Sequence, residues 1–293
     1  MKILVLGCKG QLGRCLNDQL RNTDHEVVYT SRDQIDIADF VATKTKILEM
    51  SPDTVINATA FTAVDKAEQE QEKANLINNL AVKNIADICN HIGCWLIHVS
   101  TDYVFDGTSS VPYKEDNETN PQGIYGLTKL KGEFAIQFSG CKHIIIRTAW
   151  VFSEYGNNFL KTMLQLGATR DELSIVGDQI GCPTYAQDIA KAIVSILPQL
   201  NSQVQSGVYH YCGDQCCSWY DFAKAIFKAA DMLNANGTPT VHSIKTSDYP
   251  TLAVRPMYSV LDCTKISYNF NVRPPTSFYQ IGSIVKKIPW VKS

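Results

Sequence analysis

Short apolar runs alternate with longer segments in which apolar residues recur every three or four positions through the first half of the chain. The short runs predict buried strands, and the longer period predicts helices. Predicted strands fall at 3–6, 27–29, 53–58, 95–100 and 143–147. Predicted helices fall at 11–20, 42–50, 68–92, 126–138, 188–197 and 219–233. This alternation predicts a parallel sheet covered on both faces, which is an α/β fold of the Rossmann type, doubly wound.

The alternation loosens after about residue 150. Prolines mark loops there, at positions 183, 239, 250, 256, 274 and 275. We therefore predict a dinucleotide-binding domain at 1–149, to which later segments such as 186–199 return. The remainder, 150–293, is predicted to form a smaller and mainly substrate-binding C-terminal domain. The cleft between the two domains is the expected ligand site.

Composition and charge exclude several classes of protein. The chain has 293 residues, enough for a sizeable core, and a formal net charge of −2 without a long basic run. Nucleic acid and membrane surfaces are therefore not expected as partners. The first apolar run is too short for a signal peptide, and no run is long enough to span a bilayer, so we predict a cytoplasmic protein.

The chain contains ten cysteines, none of them in a CxxC pattern. In a chain of this kind they are predicted to be reduced and mostly buried. His210, Cys212, Cys216 and Cys217 could be taken for a zinc site, but their spacing matches no common ligand pattern. No metal site is predicted.

A glycine-rich turn follows the first predicted strand and opens the first predicted helix. Gly7, Gly10 and Gly13 give the spacing GxxGxxG. Glycines at such positions allow a tight turn, the approach of a pyrophosphate and close packing of the helix on the sheet. The start of the helix supplies free N–H groups for phosphate, so this turn predicts dinucleotide binding. The alternative is a glycine-rich turn without a ligand.

The end of the second predicted strand bears on the choice of nicotinamide cofactor. Ser31 offers a hydroxyl and Arg32 a guanidinium, groups that suit the 2′-phosphate of NADPH. Asp33 could reverse this preference towards NADH, and the alternative for Arg32 is an ordinary exposed arginine in a loop. Asp36 and Ile37 follow, where a side chain and the backbone could hold the adenine.

Tyr125 and Lys129 lie four residues apart, so they share one face of a predicted helix. An ammonium group beside a phenol lowers the pKa of the phenol, which can then donate a proton to a carbonyl oxygen near neutral pH. This pair alone occurs often by chance. Thr101 ends a predicted strand on the same side of the sheet, and its hydroxyl could bond a substrate carbonyl. Together the three residues predict a catalytic site.

These motifs resemble the extended short-chain dehydrogenases/reductases that act on nucleotide sugars, and within them the dTDP-4-dehydrorhamnose reductase family. The resemblance runs nearly from end to end. It rests on the segments 10–13 (GQLG), 62–68 (TAVDKAE), 100–107 (STDYVFDG), 125–129 (YGLTK), 147–151 (RTAWV), 156–159 (GNNF), 178–184 (DQIGCPT) and 255–256 (RP).

The resemblance implies NADPH-dependent reduction of the C4 keto group of dTDP-4-dehydro-L-rhamnose to dTDP-L-rhamnose, the last step of dTDP-rhamnose synthesis, with NADH as the alternative cofactor. It implies that Tyr125 donates the proton to the C4 oxygen and that Thr101 bonds this oxygen. Lys129 would orient the nicotinamide ribose and lower the pKa of Tyr125. The implied cofactor contacts are Gly7, Gly10, Gln11, Leu12, Ser31, Arg32, Asp36, Ile37, Ala60, Phe61 and Thr62, together with Tyr125 and Lys129.

The resemblance also implies a set of substrate contacts. Thr101, Asp102, Trp150 and Asn158 would line the sugar site, and the alternative for Trp150 is a tryptophan of the core. Arg255 would approach the nucleotide diphosphate, since a guanidinium fits phosphate oxygens in a bidentate manner. A structural salt bridge is the alternative for Arg255.

One departure from the family concerns the oligomeric state, and two alternative functions are also considered. Cys15 stands where some members carry a glutamate of a Mg²⁺-bridged dimer contact, and Mg²⁺ prefers oxygen ligands. Metal-linked dimerisation is therefore not expected, and the chain is predicted to be a monomer or a homodimer. A related nucleotide-sugar epimerase or reductase would use the same tyrosine and lysine. A reductase-like regulatory subunit, such as the partner of methionine adenosyltransferase, is disfavoured by the intact Thr101, Tyr125 and Lys129.

Overall fold

The structure is a computed structural model that describes residues 1–200, 205–231 and 238–288. Over these residues the chain forms twelve strands and eleven α-helices. The strands are β1 (Lys2–Leu6), β2 (Glu26–Thr30), β3 (Thr54–Asn57), β4 (Trp95–Thr101), β5 (Lys142–Thr148), β6 (Val151–Phe152), β7 (Glu172–Val176), β8 (Ile180–Gly181), β9 (Thr184–Tyr185), β10 (Gly207–His210), β11 (Cys217–Ser218) and β12 (Thr240–Ile244). The helices are α1 (Gln11–Leu20), α2 (Phe40–Met50), α3 (Val64–Gln69), α4 (Gln71–Asn75), α5 (Ala81–Ile92), α6 (Ile124–Phe138), α7 (Phe159–Gly167), α8 (Ala186–Ile196), α9 (Trp219–Asp231), α10 (Thr264–Phe270) and α11 (Ser277–Val285).

Six parallel strands form the central sheet, in the order β10-β5-β4-β3-β1-β2. β1 lies between β2 and β3, so the strand order reverses at β1. In open α/β sheets the carboxyl ends of the strands at such a reversal flank the ligand crevice. The prediction of a Rossmann-type α/β fold is confirmed, and the crevice opens beyond the ends of β1 and β3.

Two hydrophobic layers cover opposite faces of the sheet, because alternate residues of each strand point to opposite sides. Leu16 of α1 packs in one layer with Ile189 of α8. Ile47 of α2 packs in the other layer with Ile85 of α5 and Ile136 of α6. Helix α8 therefore covers the sheet beside α1, although it follows residue 150 in the sequence.

A third hydrophobic cluster lies outside these two layers. Phe222 of α9 shares it with Phe152 of β6, Leu160 of α7 and Ile281 of α11. Strands β7 and β12 pair in parallel and contribute side chains to the same cluster. The later part of the chain thus has a core of its own, while the division between residues 149 and 150 stays a prediction.

The helix predicted at 68–92 is wrong as a single element. The structure divides this stretch into the end of α3, then α4, a π-helical turn at Leu76–Leu80, and α5. Asn78, within the π turn, accepts from the N–H of Phe61 at 2.8 Å and donates to the carbonyl oxygen of Phe61 at 3.1 Å. A contact between distant segments does not change the spacing of apolar residues, so the sequence pattern does not show it. The π turn disturbs that spacing only locally. The predicted end of the last helix, at 233, lies outside the described residues.

All ten cysteines are free thiols, and seven of them are buried. One of the seven is Cys15, whose pKa burial raises well above the usual range of a thiol. Within the described ranges, no group of three or more His, Cys, Asp or Glu side chains could hold a metal ion. No helix in those ranges is long and apolar enough to cross a membrane.

Candidate active site

The glycine-rich turn joins β1 to α1 at the crevice. Gly7 adopts a left-handed conformation, with φ +85°, and its N–H donates to the carbonyl oxygen of Thr30 at 2.9 Å. A Cβ atom on Gly13 would lie 2.2 Å from the carbonyl oxygen of Gly7, so only glycine lets α1 start this close to the turn. Gly10 precedes α1 without a side-chain cap, which leaves the first N–H groups of the helix free. This cradle fits the pyrophosphate of a dinucleotide.

Gln11 and Asn158 connect α1 to the segment before α7. Gln11 Oε1 accepts from Asn158 Nδ2 and from Ser153 Oγ, both at 2.9 Å. Asn158 also caps α7 by accepting from the N–H of Lys161 at 3.1 Å. Its amide is therefore fully engaged within the protein, and its contact with a sugar stays a prediction. The neighbouring Asn157 borders the cleft described below.

Charged side chains border a cavity of about 450 Å³ beyond the end of β2, here called the second cavity. Arg32 is exposed, and its Nε donates to Asp36 Oδ2 at 3.1 Å. Lys9, which the sequence analysis did not select, pairs with Asp33. Ser31 is buried with its hydroxyl 3.4 Å from Asp33. Two cations therefore border the second cavity, and each is shared with a carboxylate.

Thr101, Tyr125 and Lys129 border one cavity of about 580 Å³, here called the catalytic cleft. Thr101 ends β4, and α6 carries the other two residues. Thr101 Oγ1 donates to Asp102 Oδ1 at 3.0 Å and accepts from the N–H of Tyr103 at 3.2 Å. The structure thus brings together the three residues that the sequence selected as catalytic.

A buried ion pair fixes α6 against the sheet. Arg147 Nη2 lies 2.7 Å from Glu133 Oε2, and the two side chains are 4% and 1% exposed. Ser100 donates to the same carboxylate. Gly126 permits the close approach, because a Cβ atom there would lie 2.1 Å from the carbonyl oxygen of Tyr103. Breaking a buried pair of this kind costs about 3–5 kcal/mol, so the pair strongly anchors the helix that carries Tyr125 and Lys129.

Burial raises the pKa of Tyr125 to about 12; the Thr101 hydroxyl lowers this pKa in part, and the Asp102 carboxylate raises it further. The prediction that Lys129 lowers the pKa of Tyr125 is therefore wrong for this structure. Desolvation of the phenolate dominates, and the amine is bonded elsewhere. A phenol with this pKa keeps its proton at neutral pH, as a proton donor must.

Lys129 is buried, and burial lowers its pKa to about 8, an effect that Glu133 opposes. Its Nζ donates to the carbonyl oxygen of Val99 at 2.7 Å and lies 3.0 Å from Nε2 of His98. His98 is itself fully buried. Burial and the neighbouring Lys129 hold the pKa of His98 well below its usual range, so the imidazole is neutral.

Two buried oxygen atoms at the catalytic cleft lack a hydrogen-bond partner in the described part of the chain. They are Asp102 Oδ2 and Thr148 Oγ1. Thr148 pairs with Thr101 in the register of β4 and β5, so the two side chains lie beside each other. Burial raises the pKa of Asp102 to about 6, which the hydroxyls of Ser259 and Thr101 partly offset. Ser259 Oγ is also buried without a partner among the described residues, so this hydroxyl competes with a ligand for Asp102 Oδ2. Because buried polar atoms normally have partners, the two oxygens fit a ligand that carries hydroxyl groups.

Trp150 lies at the cleft in a left-handed backbone conformation, with φ +47°. Its indole stacks on that of Trp219, with ring centroids 3.4 Å apart and planes 5° from parallel. A Cβ atom on Gly181 would lie 2.4 Å from the Trp150 indole. This backbone conformation costs about 1–3 kcal/mol, which the packing must repay. Trp219 Nε1 donates to Gln179 Oε1 at 3.2 Å, so the stacked pair is anchored.

Arg255 forms a bidentate salt bridge with Asp65. The Nη2 to Oδ2 distance is 2.7 Å, and Nη1 donates to Oδ1 at 3.2 Å. The same carboxylate accepts from the N–H of Ala253 at 3.1 Å. The alternative of a structural salt bridge is thus what the structure contains, and the contact with a diphosphate stays a prediction.

Most of the predicted site residues line one or both of the two cavities. The catalytic cleft is bordered by Gly10, Gln11, Leu12, Ala60, Thr62, Thr101, Asp102, Tyr125, Lys129 and Trp150. The second cavity is bordered by Gly7, Ser31 and Arg32, with Gly10 and Ala60 shared. The side chains of Asp36, Ile37, Phe61, Asn158 and Arg255 border neither cavity. Ile37 lies in a hydrophobic layer, so a cofactor could meet only its backbone.

Five residues at or behind the site were missed by the sequence analysis: Lys9, Asn78, His98, Thr148 and Trp219. Lys9 could have been found from its place inside the glycine-rich turn. The other four owe their importance to contacts between distant segments, such as the donation from Asn78 Nδ2 to Thr128 Oγ1 of α6 at 3.2 Å.

A parallel sheet with a glycine-rich turn at its reversal point, and a Thr, Tyr and Lys set over the same crevice, defines an extended short-chain dehydrogenase/reductase. Comparison with known proteins places the chain more narrowly. The model of the family described as "RmlD substrate binding domain" matches residues 1–289, and the chain belongs to this family.

Relatives cover nearly the whole chain. The dTDP-4-dehydrorhamnose reductase of Aggregatibacter actinomycetemcomitans is 43% identical, over 93% of this chain and 94% of its own. The crystal structure of a dTDP-4-dehydrorhamnose reductase from Clostridium acetobutylicum is 38% identical with a TM-score of 0.89, over 98% of this chain and 99% of its own. The Bacillus anthracis dTDP-4-dehydrorhamnose reductase, solved in complex with NADP, is 32% identical with a TM-score of 0.91, over the same shares.

Proposed function

We propose that the protein reduces the C4 keto group of dTDP-4-dehydro-L-rhamnose to the alcohol of dTDP-L-rhamnose, with NADPH as the reductant. The observation that carries this proposal is the joint placement of Thr101, Tyr125 and Lys129 on the cleft that begins at the glycine-rich turn. Membership of the family, and the reductase names of relatives that match over nearly the whole chain, support the substrate. Under this proposal the partners are small molecules, and a monomeric or homodimeric state stays a prediction.

The residues of the cleft supply position and a proton, while a bound nicotinamide supplies the hydride. The glycine-rich turn and the start of α1 would hold the pyrophosphate. Lys129 would meet the nicotinamide ribose with the part of its amine that faces the cleft. Thr101 would bond the C4 oxygen, and Tyr125 would donate its proton there as the carbonyl carbon gains hydride. The carbonyl thereby gains one hydride and one proton and becomes the alcohol.

The unpartnered oxygens of Asp102 and Thr148 suit the remaining hydroxyl groups of the sugar. The carboxylate oxygen of Asp102 would accept one hydrogen bond, and the hydroxyl of Thr148 would accept or donate one. In this buried setting an unpaired atom costs about 1–3 kcal/mol. The stacked Trp150 and Trp219 supply an apolar wall to the same cleft. Polar atoms opposite an apolar wall suit a deoxysugar, which has both kinds of surface.

The direct test mixes the purified protein with NADPH and dTDP-4-dehydro-L-rhamnose and follows the loss of NADPH absorbance. We expect stoichiometric oxidation of NADPH and formation of dTDP-L-rhamnose. If the folded protein binds NADPH but does not oxidise it in the presence of this substrate, the proposal is wrong. A panel of other nucleotide sugars in the same assay separates this reductase from a related epimerase or reductase.

Arg32 is predicted to favour NADPH over NADH. Replacing it with alanine should raise the dissociation constant for NADPH about tenfold and leave that for NADH nearly unchanged, because a hydrogen bond to a charged group contributes about 1.5–3 kcal/mol and the site is exposed. Fluorescence titration with both cofactors measures the two constants.

Arg21→Ala is the matched control for Arg32→Ala. Arg21 is also exposed and lies 3.6 Å from a carboxylate, that of Asp18, but it borders neither cavity. Equal weakening of NADPH and NADH binding by Arg32→Ala would show that Arg32 does not read the 2′-phosphate. The same titrations on Lys9→Ala measure how far the second cation contributes.

A further inference from the structure

A chain of three hydrogen-bonded side chains runs behind the catalytic cleft and ends at Lys129; the other two, Asn57 and His98, have no assigned role. Asn57 of β3 and His98 of β4 are partners in the register of the two strands, so their side chains lie on the same face of the sheet. Asn57 Nδ2 lies 3.2 Å from His98 Nδ1, and Nε2 on the opposite side of the ring lies 3.0 Å from Lys129 Nζ. The imidazole thus bridges the end of β3 and the catalytic lysine.

The orientation of Asn57 is fixed by a backbone donor. Its Oδ1 accepts from the N–H of Thr59 at 3.0 Å, and from the hydroxyl of the same residue. A backbone N–H can only donate, so the oxygen must face Thr59 and the amide nitrogen must face His98. Since Thr59 borders both cavities, this chain begins at the edge of the cofactor site.

The orientation of Asn57 determines the tautomer of His98. Asn57 Nδ2 can only donate, so Nδ1 of the ring accepts, and the single proton of the neutral imidazole is on Nε2, facing Lys129. The amine then accepts from Nε2–H and donates to the carbonyl oxygen of Val99. Both contacts are satisfied in the neutral amine, which is the form that predominates above the lowered pKa of Lys129, about 8. The remaining N–H of the neutral amine is free to bond a ligand in the catalytic cleft.

We propose that His98 is a positioning residue for Lys129: locked by Asn57, its Nε2 orients the buried amine so that the remaining N–H serves the cofactor side of the cleft. The role rests on the proposed reductase activity, in which Lys129 meets the nicotinamide ribose. His98 itself borders no cavity and touches no reacting atom. Its effect passes wholly through the lysine, where a misplacement of 1 Å can cost about 100-fold in rate.

Two substitutions of His98 test the contacts of the two ring nitrogens separately. In His98→Gln the longer side chain places its amide near the position of Nε2, which keeps a partner for Lys129 and gives up Asn57. In His98→Asn the shorter side chain places its amide near Nδ1, which keeps Asn57 and gives up Lys129. His143→Gln is the control, because His143 is a buried histidine of the next strand whose Nδ1 bonds the carbonyl oxygen of Cys141, away from both cavities.

We expect His98→Asn to lower kcat by about 10- to 100-fold and to raise the dissociation constant for NADPH, whereas His98→Gln should lose less than about tenfold in kcat. His143→Gln should leave kcat unchanged. The melting temperatures of all three variants are measured alongside. Equal losses of kcat in His98→Gln and His98→Asn, or losses that follow the melting temperatures, would show that His98 only fills space in the core.

The tautomer gives a test on the unaltered protein that does not depend on how the variants fold. Above the Lys129 pKa of about 8, where the amine is neutral, the ¹⁵N chemical shifts of the His98 ring are expected to show a protonated Nε2 and a bare Nδ1, and the reverse pattern would overturn the proposed lock. Failure of the proposed function is distinguishable: the wild-type protein would then not turn over the substrate. The NADPH dissociation constants of the two His98 variants would still differ if the proposal is right, and would agree if it is wrong.

Discussion

Replacing Tyr125 with phenylalanine is expected to lower kcat by about 100- to 10,000-fold, the usual contribution of a positioned general acid. The Tyr125 phenol borders the cleft and bonds the Thr101 hydroxyl, and its raised pKa, about 12, keeps its proton in place at neutral pH. Phenylalanine keeps the ring and removes only the hydroxyl, so the affinity for NADPH should stay nearly unchanged. Steady-state kinetics with the keto sugar and fluorescence titration with NADPH measure the two quantities.

Tyr209→Phe provides the control for this loss. Tyr209 lies in β10, is 1% exposed, and donates its hydroxyl to the carbonyl oxygen of Gln205 at 3.0 Å, away from both cavities. Its replacement removes the hydroxyl of a tyrosine that is more buried than Tyr125 and should leave kcat unchanged. A Tyr125→Phe variant with a near-normal kcat would show that the proton comes from another group.

Replacing Gly126 with alanine should damage both stability and turnover. The added Cβ would lie 2.1 Å from the carbonyl oxygen of Tyr103, so α6 or the turn after β4 must move. Overpacking of this kind costs about 1–3 kcal/mol in the free energy of unfolding. The shift would carry Tyr125 away from Thr101, and we expect kcat to fall by about 100-fold. Urea denaturation and steady-state kinetics measure the two effects.

Gly282→Ala is the matched control, because Gly282 lies within α11 and a Cβ atom there meets nothing within 4 Å. Alanine favours a helix over glycine by about 0.5–1 kcal/mol, so this variant should be slightly more stable and fully active. If Gly126→Ala behaved in the same way, the close contact between α6 and Tyr103 would not position the catalytic residues.

Five of the six strands of the central sheet could be predicted from short apolar runs, because a strand buried on both faces has no polar side to interrupt it; the edge strand β10 was not predicted. The glycine-rich turn could be read for a similar reason. At Gly7 and Gly13 a Cβ atom would clash with neighbouring atoms, so both positions require glycine. This requirement involves only a short stretch of the chain and is therefore visible in the sequence. The helix predicted at 68–92 failed as a single element because the backbone leaves the helical conformation at Glu70 and because a π turn lies at Leu76–Leu80. The contact between Asn78 of this turn and Phe61 joins two segments and has no local pattern.

The sequence by itself determined five of the six strands of the sheet, the glycine-rich turn and the candidate set of Thr101, Tyr125 and Lys129, since periodicity and spacing within single elements carry that information. Only the tertiary structure decided what surrounds them. It buried Tyr125 so that its pKa rises, bonded Lys129 to His98 and Val99, and engaged Arg255 with Asp65. Hydrogen-bond partners and desolvation depend on which distant segments come into contact, and the sequence of a single strand or helix does not specify those contacts.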